Sequence, residues 1–199
     1  MTSNPTGYLV HTEGLPHDWP THSHSPEFWT ELGRTIATFG VLEQTLGKAI
    51  FALTATKEYS DDAVAEALEK WLPKLKGALS NTLANLIDGY AKSVREHQSA
   101  KIEDFSALEA DLRKAALLRN ILCHGSWQKP DNSGASIPFF VNRQMEVFNS
   151  AINVAYLKQT RRAVVELICA VVNTVSHMGY QFPGSAGPGT EIWFRRKTD

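Results

Sequence analysis

Residues 108–124 read LEADLRKAALLRNILCH, and Gly125 follows. No glycine or proline interrupts this run, and Leu, Ala, Glu, Arg and Lys are good helix formers, so a long helix is predicted here. Ala107 to Leu118 leads into Arg119-Asn120-Ile121-Leu122-Cys123-His124-Gly125. At roughly 100° per residue, Leu108, Leu112, Ala115, Ala116, Leu122 and Cys123 share one stripe, and Arg119 lies in the middle of it. A guanidinium keeps its charge, so on an apolar stripe it snorkels to water, pairs with a core carboxylate, or serves an anion. Asn120 and His124 are four apart and hence neighbours on one face. Gly125 is expected to end the helix as a C′ residue. A cation, an amide and a near-neutral acid/base together suit a phosphodiester, whose charge the arginine steadies while histidine moves a proton.

Upstream, Ser25-Pro26-Glu27 has the form of a helix start: a serine cap, proline at the first position and an acid in the first turn. Phe28, Leu32, Ile36, Phe39, Leu42, Leu46, Ile50 and Leu53 then recur every three or four residues, predicting an amphipathic helix through Thr54. Gly33, Gly40 and Gly47 are spaced by seven on one side of it. Each costs about 1 kcal/mol relative to alanine inside a helix, so the stripe predicts close approach of another helix, either internal or from a twin chain. Glu43 falls on the core side, as a buried ion pair, a rim residue, or a partner facing Arg119 or His124 across the bundle. Ser60-Asp61-Asp62 caps a further predicted helix, Ala63 to Trp71, which Pro73 kinks or ends. Leu75, Leu79, Leu83, Leu86, Ile87 and Tyr90 continue helically to about His97, and the 108–124 helix is expected to begin near Glu103.

Downstream, Pro130-Asp131-Asn132-Ser133-Gly134 is a turn cluster. Ser136 to Val141 is β-branched and aromatic, and Asn142-Arg143 turns it toward Gln144 to Phe148, predicting a small β-hairpin or meander. Trp127 is placed to line a cleft beside His124 or simply to pack. A last helix is expected from Asn153 to Met178, with Leu157, Val164, Val171 and Met178 on one heptad line and Arg161, Ile168 and Val175 on the next. Lys158, Arg161 and Arg162 form a basic patch that either is ordinary solvated surface or receives an RNA backbone. Pro183 to Gly189 reads as a flexible spacer before an aromatic-basic tail, Ile192-Trp193-Phe194-Arg195-Arg196-Lys197, suited to stack on a base, dock on a partner or add a strand.

The 199 residues are 43% hydrophobic and 21% charged, an ordinary globular composition, and the net charge of -1 argues against a protein that coats nucleic acid non-specifically. Any nucleic acid must therefore be held by a local basic site. Cys123 and Cys169 fall on apolar helix faces, which predicts buried thiols in a reducing compartment. The longest apolar run, Leu167 to Val172, is too short for a bilayer, and no basic-then-apolar leader opens the chain, so a cytoplasmic protein without membrane attachment is expected. Residues 1–25 form an irregular N-terminal strap, in which Pro5, Gly7, Gly14, Pro16 and Pro20 leave no room for a helix. Its His17, His22, His24 and Asp18 match no familiar ligand spacing, so no metal site is expected.

Arg119-Asn120-x-x-x-His124 at the end of a long helix resembles the HEPN superfamily (higher eukaryotes and prokaryotes nucleotide-binding). Its signature is an arginine followed four to six residues later by a histidine, often with asparagine directly after the arginine. The resemblance spans about residues 26–180 and implies a mainly α fold: a HEPN-like bundle of four to five long helices with a small β-hairpin after the motif helix. On this reading the domain is 26–180, with 1–25 as the strap and 181–199 as a flexible tail. It also implies a cofactor-free endoribonuclease in which the ribose 2′-hydroxyl attacks the adjacent phosphate, leaving 2′,3′-cyclic phosphate and 5′-hydroxyl ends. His124 is then the general base or acid, Arg119 stabilises the phosphorane, Asn120 positions the pair and Glu43 supports them. RNA contacts fall to Lys158, Arg161, Arg162 and Trp127. Such proteins commonly form homodimers with a composite active site and serve as toxins or antiphage effectors restrained by an antitoxin or defence-complex partner. The rival reading is a non-catalytic module that binds nucleotides or other proteins.

Overall fold

A computed structural model describes residues 10–57, 82–99, 102, 104–185 and 187. These are mainly helical: α1 spans Pro26–Ala55, α2 Leu83–Glu96, α3 Phe105–His124 and α4 Val154–Ser176. The expected helix from Ala63 to Trp71 with its Ser60 cap, the Pro73 kink, Leu75, Leu79 and the tail from Ile192 to Lys197 lie outside the described residues.

Helix α1 is the centre of the bundle. It begins as the local code demands: the Ser25 hydroxyl accepts from the Phe28 amide at 3.2 Å and proline occupies the first turn. Phe28, Leu32, Phe39, Leu42, Leu46 and Leu53 are buried, while Ile36 and Ile50 are half-buried at the stripe's edge. By length and hydropathy this helix is apolar enough to cross a bilayer, but it spends its apolar face on α2, α3 and α4, as a core helix does. Lys158–Glu27 and Arg161–Glu31 contacts show α4 running parallel to α1. Asp88–Arg113 and Arg95–Glu109 pairs show α3 antiparallel to α2. Within the core, the Tyr90 hydroxyl donates to Thr174 at 3.1 Å, linking α2 to α4, and burial raises its pKa to about 12.

Several boundaries depart from the sequence reading. Within the described residues α2 begins at Leu83, where the Thr82 hydroxyl accepts from the Asn85 amide at 3.3 Å and caps it. Gly125 is extended (φ -68°) rather than left-handed; its need for glycine is steric, since a Cβ there would stand 2.6 Å from the Ile121 carbonyl oxygen and 2.8 Å from Pro138 Cβ. The expected hairpin is reduced to three isolated antiparallel bridges: Ser126 to Phe139, Ser136 to Ile152 and Val141 to Val147. Pro138 has no amide hydrogen to extend a ladder, and the segment spends its pairs on three different partners. Cys123 is half-buried and Cys169 is exposed, correcting the expectation of two buried thiols. Nor does any described helix close on the glycine stripe: a Cβ added at Gly33, Gly40 or Gly47 meets nothing within 4 Å.

His97, 5% exposed, closes one end of the bundle. Its Nδ1 accepts from the Ser99 amide (3.2 Å), so Nε2 carries the proton and donates to the Thr56 hydroxyl (3.0 Å), which donates to the Ala52 carbonyl (2.7 Å). Burial lowers the pKa of His97 from 6.5; hydrogen bonding at Thr56 offsets part of this and Lys57 adds to it. The unfolded chain therefore binds a proton that the folded chain resists. Stability is full above pH 6.5 and falls as pH drops below it. Urea unfolding between pH 7.5 and about pH 5.5 should show this loss, and His97→Gln should flatten its slope.

Candidate functional site

The motif helix α3 runs back along α1, so Arg119 comes to Glu43: its Nη2 lies 3.4 Å from Oε1, with the two side chains 32% and 27% exposed. Glu43 thus combines an ion pair with Arg119 across the bundle and a half-exposed rim position. Leu112, Ala115, Ala116 and Leu122 on the same stripe are buried, so the guanidinium sits at the rim of an apolar seam and keeps access to water. Asn120 and His124 are exposed, and among the described residues neither makes a side-chain hydrogen bond or ion pair. No contact joins Arg119 to His124. Five residues apart on a helix, they point about 140° from one another, so an anion touching both must bridge the helix end. Glu43 is flanked by Gly40 and Gly47, whose missing side chains leave the surface beside the ion pair open.

The basic patch is largely spoken for. Lys158 pairs with Glu27 at 2.8 Å and Arg161 lies 3.2 Å from Glu31, leaving Arg162 exposed and without an ion pair among the described residues. Glu31 escaped the sequence reading although its side chain is 4% exposed; Oε1 also accepts from Arg34 at 2.8 Å. Its signal was an acid three residues after Phe28 and four before Thr35, inside the buried arc of α1. Glu31 and Glu43 are twelve residues apart, about 18 Å along the helix, so the Arg161 cluster and the Arg119 pair are separate places. Trp127 packs rather than lining a cleft, with its ring 4.9 Å from Phe28 and 6.1 Å from His24, both edge-on.

In the strap, His17 pairs with Asp18 (3.0 Å), His22 faces Ser23 (3.4 Å) and His24 bonds to Ser136 (2.9 Å). The three border one hollow, but no described group of three His, Cys, Asp or Glu side chains is arranged to hold a metal ion. A concavity of about 550 Å³ opens between α3 and α4 over Phe39, lined by Ala115, Leu118 and Val164 with Asp111 and Glu166 at its edges. Arg119, Asn120 and His124 are not among its walls. Compared with protein-family models, with curated proteins and with solved structures, the chain finds no match.

Arg161 also tests whether a cation is structural or functional. Arg161→Ala leaves the buried Glu31 carboxylate short of a partner and should cost about 2 kcal/mol in urea unfolding, less than a fully buried pair because Arg161 is 36% exposed. A residue held only for RNA would show no such loss.

Proposed function

We propose that this protein is a HEPN-type, metal-independent endoribonuclease. The ribose 2′-oxygen bonds to the adjacent phosphorus as the bond to the 5′-oxygen breaks. The 2′-hydroxyl proton passes to a base, and the departing 5′-oxygen takes a proton from an acid. His124 supplies one of those groups, Arg119 stabilises the charge on the phosphorane, and Asn120 orients the pair. Glu43 is a positioning residue that holds the guanidinium fork.

The observation that carries this reading is the Arg119–Glu43 pair itself: a cation fixed at 3.4 Å by a carboxylate yet about a third exposed, on the helix end that also presents His124 and Asn120 to solvent. One histidine supplies one proton-transfer group, so the reading includes a homodimer whose second copy completes the site. The open Gly33-Gly40-Gly47 stripe and Leu117, 46% exposed, suit such a partner. A role in the cytoplasm as a toxin or antiphage effector, restrained by an antitoxin or defence-complex partner, belongs to the same proposal and rests on the resemblance alone. The rival, a non-catalytic nucleotide- or protein-binding module, is favoured by the pairing of Lys158 and Arg161 with α1 carboxylates, which withdraws two of the expected RNA contacts.

Cleavage of a mixed RNA pool in EDTA decides between them. Wild type should leave cyclic-phosphate ends, and His124→Ala and Arg119→Ala should each lose at least about 100-fold in rate, with Glu43→Gln losing about tenfold. Intact RNA from a folded dimer would favour the binding module. Cleavage surviving both alanine substitutions would move the site elsewhere.

A further inference from the structure

His24 is the one buried residue between positions 10 and 25, and it stands at the junction of strap and bundle. It precedes the Ser25 cap of α1, the N′ position, where a hydrophobic residue commonly staples to the first turn. Here the staple is an imidazole. Its ring stacks on Phe28 at 4.3 Å and meets Trp29 edge-on at 5.3 Å and Trp127 at 6.1 Å. Nε2 shares a hydrogen bond of 2.9 Å with the Ser136 hydroxyl, and Ser136 is tied to Ile152 by two backbone bonds. Among the described residues, the Trp29 indole also ties the bundle to the strap by donating to the Thr21 carbonyl at 2.8 Å.

We propose that His24 is an acid-released latch: neutral, it fastens residues 10–23 to the bundle, and protonated, it lets them go while the helices stay folded. This stands independently of the RNA reading. A charged ring here must give up water among three aromatic rings with one hydroxyl as its fixed partner. It also faces the positive end of the α1 dipole. Burial accordingly lowers the pKa of His24 from 6.5. The groups around it do not rescue the charge. From the strap, His17, Asp18 and His22 line the hollow that His24 borders, and Asp18 is paired with His17. From α1, Glu27 is engaged with Lys158 of α4. The segment after α3 meets the ring with Trp127 and Ser136, neither of which titrates in this range.

Between the ring's closed and released pKa values the open fraction rises about tenfold per pH unit. Ser136 belongs to the stretch that pairs through Phe139 with Ser126, two residues beyond His124, so release also loosens the wall next to the motif.

The test follows the His24 ring by NMR while a glutamyl endopeptidase probes the strap at Glu13. The ring should titrate below 6.5, cutting at Glu13 should accelerate over the same range, and helical circular dichroism should be unchanged. His24→Phe keeps the stacking without the proton and should leave the strap protected down to about pH 5. His97→Gln should behave as wild type. A ring titrating at or above 6.5, a strap still protected once the ring is charged, or acid-induced cutting that persists in His24→Phe would each overturn the proposal.

Discussion

Burial of α1 against three other helices decides where charge can sit in this bundle. A helix that hides Phe28, Leu32, Phe39, Leu42, Leu46 and Leu53 leaves no water for a charge on the same arc, so each carboxylate there requires an answer from a facing helix. Glu31 receives Arg161 of α4, beside Arg34 from its own helix, and its side chain is 4% exposed. Glu43, further along, receives Arg119 and remains 27% exposed. The difference in depth separates their roles. An arginine answering a deep carboxylate is bound by the cost of leaving it, whereas one at a rim keeps most of its hydrogen-bonding fork for a second anion.

The ends of the bundle are closed by neutral imidazoles. His97 joins the end of α2 to the end of α1 through Thr56, and His24 joins the strap to α1 and to the segment after α3. Both sit where a proton is unwelcome, and both lie away from the Arg119–Glu43 rim.

Much of this was legible in the sequence because it is local. The Ser25 cap, the α1 stripe and the Leu157-Val164-Val171 line follow from periodicity and capping chemistry that one element carries by itself. Glu43 and Arg119 were each readable as a charge on an apolar face, and such charges seek each other. Arg161 is readable by the same rule, but the acid that answers it, Glu31, lies unremarked among the apolar residues of α1. The Thr82 cap of α2 was hidden beside a leucine-rich run, because a capping hydroxyl leaves no mark on the period. Gly125 reads as the end of its helix, yet its need for glycine comes from Pro138, a contact from later in the chain, which crowds the place of its Cβ. Non-local contacts of that kind leave no period behind them.

The proposed ribonuclease requires RNA to lie at the Arg119 rim, with Asn120 and His124. The most direct measurement is an NMR titration with an RNA oligomer carrying 2′-O-methyl groups, which lack the attacking hydroxyl. Shifts should concentrate at Arg119, Asn120, His124 and Glu43. Shifts confined to the hollow between α3 and α4 over Phe39, or none at saturating RNA, would contradict it.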